Sequence, residues 1–139
     1  MSYQAYQKAQ QSSESPSQIE YRLFAQVTNA LIEARDKQFR GAALVKALDW
    51  NRRMWSVFSS DCGTKGNGLP DNLRAGIISL SIWVSKHSSG VARGDENIDD
   101  LININRTIME GLADQARLQS KAANSAATPA APGSINSNL

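Results

Sequence analysis

With one cysteine, Cys62, and one histidine, His87, among 139 residues, the chain is short of the side chains on which most site chemistry depends. A single thiol excludes an internal disulfide, and with it the stapled scaffold of a small secreted protein, so the expected location is the cytoplasm. One thiol and one imidazole far apart in sequence make no metal-ligand set, and neither a metal nor a cofactor is expected. Cys62 reads as a bystander thiol beside a loop, and His87 as a solvated or helix-capping residue. No run of about 18 apolar residues is present to cross a membrane, and the opening MSYQAYQKAQQSSES lacks the apolar core of a signal peptide. Charge of one sign is scarce as well. Lys+Arg 15 against Asp+Glu 13 leaves a formal +2, too little for the field that draws nucleic acid along a whole face.

Catalytic motifs are missing in the same way, and an enzyme is not expected. Gly63-Thr64-Lys65-Gly66-Asn67-Gly68 has the glycines and lysine of a phosphate loop, but not their order, and it follows a helical pattern where a P-loop follows a strand. Asp99 and Asp100 are adjacent, which on a helix turns them about 100° apart, so they cannot face one substrate atom together.

What the chain does have is helical periodicity, in a length that suits one domain. From Ser15 to Lys37 the apolar positions Leu23, Phe24, Val27, Leu31 and Ala34 recur at helical spacing. Ser15 with Pro16 behind it suits an N-cap and first helical residue, and Ser17 with Glu20 suits a capping box one turn later. Ahead of it, Ser2 to Gln11 places Tyr3 and Tyr6 on one side of a shorter helix. Gly41 suits a C-cap or hinge, and Ala42 to Ser60 then follows the period through Leu44, Ala47, Leu48, Met54, Trp55 and Phe58, with Ala43, Trp50 and Val57 on a second flank. Leu69 to His87 is apolar nearly all round, which predicts a central helix; Ser88-Ser89-Gly90 is expected to end it. A last amphipathic helix runs through Ile98, Leu101, Ile102, Ile108, Met109, Leu112 and Ala116, with Asp95, Glu96, Asp99 and Asp100 at its start, where the helix dipole favours negative charge. The pattern predicts an all-α, single-domain helical bundle of about five helices over residues 1–121. Residues 122–139, an uncharged mix of Ala, Ser, Asn, Thr, Pro and Gly, are predicted to be a disordered tail.

Asn51 and Asn105 interrupt apolar stripes and require hydrogen-bond partners among neighbouring backbone or side chains. Trp55 and Trp83 read as core, whereas Trp50, on the flank, suits core or contact equally. The cluster Arg35, Lys37, Arg40, Lys46, Arg52 and Arg53, opposed by Asp36 and Asp49, makes one corner basic. It suits RNA backbone contact, pairing with the acidic start of the last helix, or a merely solvated face.

Four blocks, YQAYQKA, ESPSQIEYRLFAQVTNAL, KALDWNRRMWSVFSSD and LPDNLRAGIISLSIWVSKH, in this order and spacing resemble the FlaF family of flagellar biosynthesis proteins of alpha-proteobacteria, over roughly Tyr3 to Ala116. The resemblance implies a role in flagellin production and export, with flagellin as the partner and a working link to FlbT, the family's companion translational regulator. It carries over no catalytic residue. A flagellin-binding export chaperone is the first expectation; a regulator acting with FlbT on flagellin messenger RNA is the alternative. Direct RNA binding is not expected, given the weak net charge. The candidate partner-binding residues are Trp50, Val57, Ala43, Met54 and Arg53, around a flank that a helix of the partner would occupy.

Overall fold

The computed structural model describes residues 15–63 and 71–127, and every regular element in them is helical: α1 (Pro16–Asp36), α2 (Gly41–Gly63), α3 (Asp71–Arg93) and α4 (Ile98–Ala127). The all-α expectation holds. The short helix expected over Ser2 to Gln11 and most of the glycine-rich connector after α2 lie outside the described residues.

Helix α1 starts as expected, with Ser15 at the N-cap and Pro16 as the first helical residue. The Gln18 amide donates to Ser15 Oγ (3.2 Å) and the Ser15 amide to Gln18 Oε1 (2.9 Å), so the reciprocal capping box is made by Ser15 with Gln18 and not by Ser17 with Glu20. The helix ends in a Schellman motif: the Phe39 amide reaches Ala34 O (2.9 Å) and the Gln38 amide Arg35 O (3.2 Å). The left-handed position of that motif falls on Gln38 (φ 56°), not on Gly41, which opens α2 with its own positive φ of 57°. A side chain in the left-handed region costs about 1–2 kcal/mol, and glycine returns about 0.5–1 of that as backbone entropy. Gln38→Gly is therefore expected to raise stability by about 0.5 kcal/mol, measured as a higher urea midpoint at unchanged slope.

Helix α3 does not end at Ser88-Ser89-Gly90. The two serines turn inward on their own helix, Ser88 Oγ donating to Val84 O (2.6 Å) and Ser89 Oγ to Ser85 O (3.4 Å), which leaves the helix free to continue. It stops at Gly94 (φ 84°) in a second Schellman motif, with the Asp95 amide on Gly90 O (2.8 Å) and the Gly94 amide on Val91 O (3.0 Å). Gly90 is needed for close approach, since a Cβ there would lie 2.4 Å from Glu96 Cγ. Helix α4 then runs past the boundary expected at Ala122, through the Ala-rich stretch to Ala127; positions 128–139 lie outside the described residues.

The chain forms two compact units. The smaller includes the described residues 15–21 and 110–127, and in it Ser17, Leu112 and Ala116 are buried. The larger, Arg22–Met109, holds the main core. Here Phe24, Trp55 and Phe58 meet edge to face around a triangle, with ring centroids 5.1 to 5.8 Å apart, a geometry that aligns ring edges with ring faces. Val27, Leu31, Val84, Leu101 and Ile102 are fully buried beside them. Asn51 and Asn105 find partners in each other. Asn105 Oδ1 accepts from Trp55 Nε1 (2.8 Å), while Asn105 Nδ2 donates to Asn51 Oδ1 (2.8 Å) and Thr28 Oγ1 (3.1 Å). One amide on α4 thus bonds side chains of α1 and α2 at the buried centre of the unit.

Candidate functional site

The same rotation of α2 that buries Ala47, Leu48, Asn51, Trp55 and Phe58 turns its other side outward. Ala43, Trp50 and Val57 are seven residues apart, and seven residues return to nearly the same side of a helix with a drift of about 20°. The line they form spans about 21 Å of helix. All three are exposed, Trp50 by 38% and Val57 by 61%. Arg53 stands beside them, its Nε 3.2 Å from Asp49 Oδ2. Met54 does not join them. It is only 5% exposed and belongs to the core, because its position rotates it about 40° inward from Trp50.

Helix α3 corrects two expectations. It is not central: Ile77, Val84, His87 and Val91 are buried, while Leu73, Ile78, Ile82 and Trp83 are exposed by 38 to 55%. Trp83, expected in the core, instead stacks on His87 at 4.6 Å and leaves its outer edge in solvent. A signal of this was present in the sequence. The outward arc also carries Ser79, Lys86 and Gly76, residues that a helix surrounded by core would not place together on one side.

His87 is not solvated. Its Nε2 lies 2.9 Å from Asn97 O and 3.1 Å from Asp100 Oδ2, and since a carbonyl oxygen only accepts, Nε2 carries the proton and donates. The imidazole thereby ties α3 to the first turn of α4. Cys62 is buried near the end of α2 and forms no disulfide. Among the described residues, no group of three or more His, Cys, Asp or Glu is placed to hold a metal ion, and no helix is long and apolar enough to cross a membrane.

The basic corner is largely neutralised. Arg35 bonds Asp99 across to α4 (3.0 Å) and Asp36 (2.9 Å), and these hydrogen bonds, Asp99 first, hold its pKa above the ordinary arginine value. Lys37 pairs with Glu33, and Arg52 and Arg53 share Asp49. A surface hollow of about 540 Å³ lies where the turn after α1 meets the turn after α3, lined by Ala34, Phe39, Leu44, Val91 and Ile98 with Glu96 among its polar residues. None of the candidate residues lines it.

The family model described as flagellar protein FlaF matches residues 2–112. No curated protein and no solved structure matches the chain.

Proposed function

The chain belongs to the FlaF family of flagellar proteins, and on that premise we propose that it is a flagellin-binding export chaperone, an assembly factor that holds unpolymerised flagellin in the cytoplasm. The observation that carries the reading is the outward line of α2. Trp50 and Val57 present apolar surface to solvent beside the charges of Arg53 and Asp49, and an apolar strip with a charged border is what an amphipathic partner helix recognises. Covering a flagellin helix that otherwise packs between subunits would prevent premature assembly. It performs no reaction, so no catalytic residue is required.

The competing reading, control of flagellin translation on messenger RNA together with FlbT, would draw on the basic corner. Four of its cations already face carboxylates, which leaves little unpaired charge to release counterions from a phosphate backbone. The test is retention of purified flagellin on the immobilised full chain, run beside gel retardation of the flagellin leader RNA. Flagellin is expected to be retained, and RNA to show at most weak, salt-sensitive retardation that Lys37→Glu combined with Arg52→Glu abolishes while flagellin retention persists. Tight, sequence-selective RNA binding without flagellin retention would reverse the assignment.

A further inference from the structure

The outward face of α3 has a different character from that of α2. It carries Ile78, Ile82 and Trp83, all exposed, and Lys86 is its one charged side chain between Ala75 and Lys86. Gly76 sits in the same arc, in the interior of the helix, where a glycine weakens the helix relative to alanine. A Cβ added at Gly76 would meet nothing within 4 Å. Nothing in the packing of the described residues calls for glycine there, whereas a second helix lying close against this face would.

We propose that this face is a self-association surface, on which two copies of the chain meet through antiparallel α3 helices related by a two-fold axis at Ser79. The pattern of sizes selects that arrangement. An antiparallel pairing centred on Ser79 sets Gly76 against Ile82 of the second copy, Ala75 against Trp83, and Asn72 against Lys86, so Ile82 and Trp83 meet small residues while Ile78 falls at the edge, opposite Leu80. Every such contact occurs twice, as an isologous interface requires. It also opposes the two helix dipoles. A parallel pairing would stack Trp83 on Trp83, Lys86 on Lys86 and Gly76 on Gly76, which combines overcrowding, like charge and a gap. The surface is separate from the α2 line assigned to flagellin, so the two assignments can fail independently.

The experiment uses the full chain. Light scattering at on the order of 0.1 mM, where a micromolar dimer is nearly saturated, is expected to give twice the 15.1 kDa chain mass. Ile82→Glu should halve it. Gly76→Leu should halve it as well, while leaving the melting temperature of the monomer no lower, because leucine is the better helix former. With Cys62 replaced by alanine, Asn72→Cys mixed with Lys86→Cys should yield a cross-linked pair on oxidation, and neither alone should do so. A monomeric wild type overturns the proposal, as does a mass that both face variants leave unchanged. Cross-linking of either cysteine variant with itself in preference to the mixture overturns the antiparallel arrangement. Loss of flagellin retention in Ile82→Glu without loss of mass would assign the face to flagellin instead and overturn it equally.

Discussion

Replacing Asn105 by leucine is expected to lower the stability of the fold by about 4 kcal/mol, because the change strands two buried groups at once. Trp55 Nε1 loses its acceptor and Asn51 Oδ1 loses its donor, and these two residues and Asn105 are completely buried; Thr28 Oγ1 loses the same donor but keeps Met109 Sδ (3.9 Å) as a partner. Each stranded group costs about 1–3 kcal/mol, and leucine is close enough in volume that no large cavity adds to the sum. The companion change, Asn51→Leu, is expected to cost only about 1 kcal/mol. Asn51 Nδ2 has no hydrogen-bond partner among the described residues, so its removal relieves one defect, and Asn105 Nδ2 keeps Thr28 as an acceptor. Urea unfolding of both variants measures the difference. Equal losses would show that the network is not organised around Asn105.

That network also shows how far the sequence carries. The need for partners at Asn51 and Asn105 is legible, since each interrupts an apolar stripe; that the two answer each other, 54 positions apart, is a property of tertiary packing that no local pattern contains. Helices α1 and α4 are legible because each has one apolar side and one polar side at a period of 3.6 residues, and α2 because its main stripe and its second flank both keep that period. Helix α3 is apolar on nearly all sides, and hydrophobicity alone does not distinguish a helix surrounded by its own fold from one that leaves a face for another chain. The same ambiguity misplaces Trp83. At Ser88 and Ser89 the composition of a break is present, but the hydroxyls bond to carbonyls one turn back and the helix persists. Of the candidate site, the line of Ala43, Trp50 and Val57 follows from counting residues around α2, while Met54 shows the limit of that count. A rotation of about 40° separates a surface position from a core one.

Trp50→Ala is expected to weaken flagellin binding by about 2 kcal/mol or more, the scale on which a tryptophan anchor contributes to an interface. Its effect on the fold should be smaller, about 1 kcal/mol, since the side chain is already 38% exposed and packs on one side only. Val57→Asp provides the second arm. Val57 is 61% exposed, so a carboxylate there costs the folded state little, yet it would place a charge in the middle of an apolar contact, where an unpaired charge is strongly unfavourable. Both substitutions leave the aromatic triangle and the Asn105 network untouched.

The central claim is that monomeric flagellin binds the outward line of α2, and calorimetric titration of purified flagellin into the full chain, wild type and Trp50→Ala in parallel, tests it most directly. The account predicts saturable binding by the wild type and an affinity at least about 30-fold weaker for the variant, the equivalent of 2 kcal/mol, with the thermal melt of the variant still cooperative. No heat of binding with the wild type, confirmed by failure of the two proteins to comigrate, or equal affinity for both forms, would contradict it.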